Sequence, residues 1–164
     1  MAKSFRSSAS FGKRQEYVAI AELLKRGYDV YLTLVDDQGI DCVVRQGPNK
    51  YFDIQVKARS KDASPRNAGV FPQIQIDEPR RNYIFIFYSE AANGKGVHWV
   101  IPSTKIVEKG FCNVRKSGKN KGRYRLLLTN YSRSKGTVKP RPKYDTYVDA
   151  FERVLGQPHV NERS

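Results

Sequence analysis

The run Tyr83-Ile84-Phe85-Ile86-Phe87-Tyr88 offers no polar face. Successive side chains of a strand point to opposite sides, so such a run must be covered both above and below. It is far too short to span a bilayer. A central strand over 82–88 therefore demands a layered fold, and the flanking sequence supplies the layers. A helix is predicted from Phe11 to Arg26, with Ser10 as N-cap, Gly27 as stop, and Tyr17, Ile20, Ala21 and Leu24 as its buried stripe. Three strands follow, over Tyr28–Leu34, Ile40–Arg45 and Tyr51–Arg59. They are joined by turns at Asp36-Asp37-Gln38-Gly39 and Gly47-Pro48-Asn49. Phe71–Arg81 reads as a short helical turn and Val97–Ile101 as a strand. Ser103 or Thr104 is expected to cap one helical turn ending by Gly110. Phe111–Val114 and Tyr124–Leu128 suggest a late strand pair. Asp145–Leu155 reads as a closing helix with Val148, Phe151 and Leu155 inward. The plan is mixed α/β: a helix, a three-stranded meander, a short helix, then further strands in one sheet.

The length of 164 residues fits one domain over 1–164. Its expected parts are a flexible basic arm (1–10), a core (11–107), basic loops and late strands (108–143) and a closing helix (144–156). Thirty Lys+Arg against sixteen Asp+Glu give a net charge of +14. That excess calls for a polyanionic partner, nucleic acid first and an acidic membrane surface second. Cys42 and Cys112 show no metal or redox spacing and read as small apolar strand residues in a reducing compartment. The first fifteen residues hold no apolar signal-peptide core, so the expected setting is cytoplasmic.

The segment Tyr51-Phe52-Asp53-Ile54-Gln55-Val56-Lys57-Ala58-Arg59 alternates with period two. Phe52, Ile54, Val56 and Ala58 face one way. Asp53, Gln55, Lys57 and Arg59 face the other. If Gly47-Pro48-Asn49 is a three-residue loop, Gln46 pairs with Lys50 and Asp41 lies directly opposite Gln55. Cross-strand partners have Cβ atoms about 4.5–5.5 Å apart, and Asp53 and Lys57 become the diagonal neighbours of Asp41. Asp41, the Gln55 side-chain oxygen and a strand carbonyl can then hold a hard cation such as Mg²⁺, with water and a phosphate oxygen completing its shell. Lys57 can orient an attacking water and stabilise charge developing on the phosphate. Glu16, at the margin of the helix stripe, can reach the metal directly or through water. Its neighbour Gln15 can contact a phosphate. Plainer roles fit the same residues: an exposed ion pair for Asp53 and Lys57, a turn residue for Asp41, a surface carboxylate for Glu16.

The order of a helix glutamate, "GIDCVV" and "DIQVK" resembles the PD-(D/E)XK nuclease superfamily. It is closest to the glutamine-x-lysine branch that includes Mrr-like restriction nucleases and group I intron homing endonucleases. The context "GKRQEYVAIAELLKRGYDVYLT" before the motif, and "NYIFIFYSE" then "HWVIPSTKI" after it, carries the resemblance over residues 11–107. The resemblance implies a restriction-endonuclease-like core and a Mg²⁺-dependent endodeoxyribonuclease, with Mn²⁺ as substitute. It makes Asp41 the metal-binding acid and puts Gln55 at the second acid's position. Lys57 becomes the catalytic lysine and Glu16 the supporting helix glutamate. Ile40 stands where a proline is common. Gln55 replaces a carboxylate and so removes a negative charge from the metal site, for which Asp53 can partly compensate. Active relatives with this glutamine are known.

Between Lys105 and Lys143 there are thirteen Lys+Arg and one acid, Glu108; thirteen minus one is +12. "RKSGKNKGRYR" interleaves Arg115, Lys116, Lys119, Lys121 and Arg123 with glycine and serine, a pattern suited to phosphate contacts. Arg59, Lys61 and Arg66 continue from the motif strand toward the same kind of contact. DNA is the expected partner, RNA less so, and no membrane. A homo-oligomer would suit double-strand cleavage. The competing reading is a catalytically inactive nuclease-fold module that binds DNA or RNA. His98 reads as a structural strand residue, and His159 lies in the tail.

Overall fold

The computed structural model describes residues 8–35 and 38–158. The first helix, α1, runs Ser8–Lys25. It leads into an antiparallel meander of β1 (Asp29–Leu32), β2 (Cys42–Gly47) and β3 (Lys50–Arg59). The chain then crosses over to β5 (Tyr83–Ser89), which pairs parallel to β3. A further strand, β6 (Val97–Pro102), returns antiparallel and completes a five-stranded sheet in the order β1-β2-β3-β5-β6. The mixed α/β plan with an early meander is thus the observed fold class.

The central strand has the two covers its composition demands. Ile84 and Ile86 of β5 join Cys42, Val44, Phe52, Ile54 and Val56 in one core, sealed by Ala19, Ile20 and Leu23 of α1. Phe151 and Leu155 of a short final helix, α3 (Phe151–Leu155), close the same layer. Phe85 and Phe87 face the opposite way into a second core with Trp99, Ile101 and Ile106. That core is roofed by Phe71, Ile74, Leu126 and Leu128.

The roof corrects the expectation of one sheet. The strands β4 (Val70–Ile74), β7 (Asn113–Val114) and β8 (Tyr124–Leu127) form a separate three-stranded sheet, ordered β4-β8-β7. Another pair, β9 (Thr129–Ser132) with β10 (Thr137–Pro140), stands by itself. The expected helical turn at 71–81 is therefore the strand β4 and an irregular segment. Proline argues against a strand, but Pro72 lies within a register shift between Phe71 and Ile74, an irregularity that a strand can build around proline.

Other boundaries move for local reasons. Ser10 lies inside α1, which begins at Ser8, so it is not the N-cap. Of the expected helix stripe only Ile20 is buried; Tyr17 and Leu24 are each 55% exposed, while Gln15, Ala19 and Leu23 turn inward. The helix is apolar on several sides, and packing on β3 selects the face. The one-turn helix α2 (Ser103–Ile106) forms where expected, yet no side chain caps it. The closing helix divides into a 3₁₀ segment, Pro142–Tyr147, and α3. Between them Val148 is extended and bridges to Trp99, while the Asp149 amide donates to the His98 carbonyl. Residues 1–7 of the expected arm, the Asp36-Asp37 turn and His159 lie outside the described residues. No described helix is long and apolar enough to cross a membrane.

Candidate active site

The β2–β3 hairpin fixes the central geometry. Cys42 pairs with Ile54, Val43 with Asp53, Val44 with Phe52 and Arg45 with Tyr51. The ladder ends at Cys42–Ile54, one residue short of Asp41 and Gln55. The expected register is reached by a different loop. Gly47, not Gln46, pairs with Lys50, which leaves a two-residue turn at Pro48-Asn49 and a register shift at Gln46. The bulged residue restores the count that a three-residue loop would have given. Gln46 is buried, and its amide nitrogen lies 3.4 Å from the Gly156 carbonyl.

At Asp41 the two strands part. Its amide still donates to the Ile54 carbonyl at 2.8 Å. Its carboxylate Oδ2 accepts the Val56 amide at 2.6 Å, where a continuing β2 would have offered a carbonyl. A strand amide near the core needs an acceptor, and here a side chain supplies it. The carboxylate is thereby fixed at the fork of the sheet, one step from Gln55.

Beyond the fork opens a hollow of about 740 Å³. Ile40, Gln55, Lys57, Gln73, Arg80 and Arg123 are among the residues that line it. Gln55 Oε1 accepts the Tyr83 hydroxyl at 3.1 Å. The back of the Gln55 amide rests on Gly39, whose φ is +70° and where a Cβ would collide with it. This contact requires glycine twice over, for its conformation and for the space. The Lys57 side chain is half-buried and makes neither a hydrogen bond nor an ion pair among the described residues.

Two carboxylates expected at the site are engaged elsewhere. Asp53 Oδ2 accepts Arg80 Nη2 at 2.6 Å, so its charge is balanced by a guanidinium rather than held in reserve for a cation. Glu16 is bound by Lys13 at 2.6 Å, three residues back on α1. That hydrogen bond is the main cause raising the Lys13 pKa, with Glu16's charge next and Asp41 a smaller contributor. The Cys42 thiol is pushed up to about 12, chiefly by burial and then by Asp41 and Glu16. Lys13, Glu16 and Asp41 thus share one electrostatic neighbourhood at the edge of β2. Gln15 is buried and lines a second hollow, between α1 and the end of β3, with Arg14, Arg59 and Lys61.

The expected phosphate contacts separate into two groups. Arg59 is structural: its Nε donates to the Val70 carbonyl at 2.6 Å and its guanidinium lies over the Phe71 ring, tying β4 to β3. Burial lowers its pKa. Lys61 and Arg66 are exposed on the following loop. Arg115, Lys116, Lys119 and Lys121 are exposed on the β7–β8 hairpin, and Arg123 at its base enters the hollow. The Arg115 amide donates to the Arg123 carbonyl and the Gly122 amide to the Arg115 carbonyl, which extends the hairpin past its ladder.

Sequence reasoning missed Arg80, Tyr83 and Ser103. The Ser103 hydroxyl is buried, accepts the Arg80 amide at 2.9 Å and donates to the Arg80 carbonyl at 2.8 Å. Arg80 also lies over the Tyr83 ring, 5.3 Å from its centroid. Nothing in the local pattern signals this cluster, because its members come from a loop, a strand end and a helix turn. Gln73, Gln75 and Asp77 were missed as well, because 71–81 was read as a helical turn; their alternation with Ile74 and Ile76 was the signal available.

A solved structure of a bacterial homing endonuclease, I-Ssp6803I, superimposes with a TM-score of 0.53 at 15% identity, covering 91% of this chain and 92% of that chain. At this identity the likeness is one of fold. No protein-family model and no curated protein matches the sequence.

Proposed function

We propose that this chain is a metal-dependent endonuclease of the PD-(D/E)XK type that hydrolyses phosphodiester bonds in DNA. The observation that carries the proposal is the fork at Asp41, which fixes a carboxylate one step from Gln55 with Lys57 on the same strand face. The likeness of the fold to a homing endonuclease and the net charge of +14 support it.

The donor set suits a hard, hydrated cation. Asp41 and Gln55 offer oxygen ligands only, and among the described residues no group of three or more His, Cys, Asp or Glu forms a closed cage. Mg²⁺ fits such a sparse site because it keeps several waters and takes phosphate oxygens as ligands. Asp41 and the Gln55 amide oxygen would hold it, with Glu16 acting through water. When bound, the ion polarises the phosphoryl group and makes its water a better nucleophile. Tyr83 and Gly39 confine the Gln55 amide. Lys57 orients the water and compensates charge growing on the phosphoryl oxygens. Water forms the new P–O bond and loses a proton to solvent, while the opposite bridging bond breaks and its oxygen gains one. The basic hairpin holds the neighbouring phosphates.

One observation favours a second reading, a module that binds nucleic acid without cutting it. Gln55 is neutral, Asp53 is paired with Arg80 and Glu16 with Lys13, which leaves Asp41 as the main acid at the fork. Plasmid cleavage with Mg²⁺, with and without EDTA, separates the two. The nuclease reading expects cleavage by wild type that EDTA abolishes, and a loss of at least about 100-fold in Lys57→Ala, in line with other charge-stabilising residues. Equal activity in wild type and Lys57→Ala would sink the assignment. Intact DNA binding with neither cleavage nor metal binding would establish the module.

A further inference from the structure

One stretch of the lining of the hollow that also holds Lys57, within residues 73–78, differs from the rest of the site. Gln73, Gln75, Asp77 and Glu78 all line it. Two acids on one short segment repel phosphate, so this wall does not suit the nucleic-acid backbone. It suits groups that present hydrogen-bond donors and acceptors without charge, as base edges do.

Gln73 is the distinctive member. Its φ is +62°, a conformation that non-glycine residues rarely adopt. The cause is the register shift between Phe71 and Ile74, which follows Pro72 and turns the strand at this point. Bulges beside functional sites re-aim a side chain, and here the re-aimed side chain lines the hollow that holds Lys57. Inside the protein it accomplishes nothing visible: Gln73 is exposed, with no side-chain hydrogen bond among the described residues. Gln75, two residues on, donates instead to both oxygens of Asp77 at 3.0 Å. A costly backbone conformation that presents an unpartnered amide to a nuclease-like hollow calls for a ligand outside the chain.

The neighbouring β8 strand and its hairpin indicate how DNA would approach. A two-stranded β-ribbon fits the major groove, and the exposed β7–β8 hairpin carries Arg115, Lys116, Lys119 and Lys121 to hold the flanking phosphates. An amide has one donor and one acceptor side by side, the pattern that matches adenine N7 and N6 in that groove.

We infer that Gln73 is a specificity-determining residue that reads an adenine edge in the major groove, close to the phosphate served by Lys57. This rests on the DNA-nuclease reading above and adds a sequence preference to it. The test is selection of duplexes from a randomised pool by the full chain in Ca²⁺, for wild type, Gln73→Gly and Gln73→Ala. Thermal melting is measured alongside. Wild type is expected to enrich A·T at one position by roughly 5- to 150-fold, the span of a good bidentate contact. Both variants should lose that enrichment while keeping bulk affinity. Gln73→Gly should melt at or above the wild-type temperature, because glycine accepts the backbone conformation. Salt-sensitive binding with the same sequence profile in all three proteins overturns this inference and leaves the nuclease reading standing. A marked fall in melting temperature for Gln73→Gly also overturns it, since the side chain would then be structural. Absence of DNA binding in wild type removes the nuclease reading as well.

Discussion

Asp41 has two roles in this account, and they separate by substitution. Its carboxylate satisfies the Val56 amide at 2.6 Å, and it is proposed to hold a cation. Asp41→Ala removes the acceptor and leaves a strand amide without a partner, a cost of about 1–3 kcal/mol. Asp41 is half-buried, so water reaches the fork in part, and the middle of that range, about 2 kcal/mol, is the expectation. For a chain of this size that lowers the melting temperature by roughly 4–8 °C. Asp41→Asn keeps an oxygen for the amide and loses only the extra strength of a charged acceptor, so its melting temperature should fall by less than half as much. Both variants lose the negative charge, so their difference reports the hydrogen bond. Metal should divide the proteins otherwise. At tenfold over its Kd, Mg²⁺ stabilises wild type by about 1.4 kcal/mol, or roughly 3–6 °C, and should shift neither variant. Equal destabilisation by Asn and Ala would refute the structural role. A Mg²⁺-induced shift retained in both would refute the metal role.

Two further outcomes follow from the surface and the core. Replacing Lys116, Lys119 and Lys121 together with alanine should weaken binding to all DNA sequences alike and flatten the salt dependence by about 0.9 in log–log slope per lost phosphate contact; an unchanged slope would place the DNA elsewhere. His98 lies tilted against the Tyr88 ring and edge-on to Phe151, and its Nε2 is buried without a hydrogen-bond partner among the described residues. Burial lowers its pKa, with Arg26 adding to this and Asp149 and Glu22 opposing it. The unfolded chain therefore takes up the proton first as pH falls, so the stabilising effect is full above the ordinary histidine value of 6.5 and declines below it. Denaturation between pH 7 and 5 should show a loss of up to about 1.4 kcal/mol per pH unit from this group, absent in His98→Phe.

The parts of the site that lie along one strand were readable; those assembled from distant segments were not. The polar stripe of β3 survives from sequence to structure because strand periodicity is local. The β2–β3 register as far as Cys42–Ile54 also survives, although the loop was misjudged, because a bulge at Gln46 replaces the third loop residue. The face of α1 was misread because Tyr17, Val18 and Leu24 are apolar yet point to solvent, so composition does not single out one side. The strand at Val70–Ile74 was hidden by Pro72. The capture of Asp53 by Arg80 joins residues twenty-seven apart through a loop that Ser103 anchors, and no spacing rule reaches that far.

The central claim is that Asp41 and Gln55 share one cation. The direct measurement is a crystal structure of the full chain soaked in Mn²⁺, read by anomalous scattering. An ion is expected about 2.1–2.3 Å from both a carboxylate oxygen of Asp41 and Oε1 of Gln55, at the distance of a hard cation to oxygen. A saturating soak that leaves the fork empty, or an ion held by Asp77 and Glu78 instead, would contradict it.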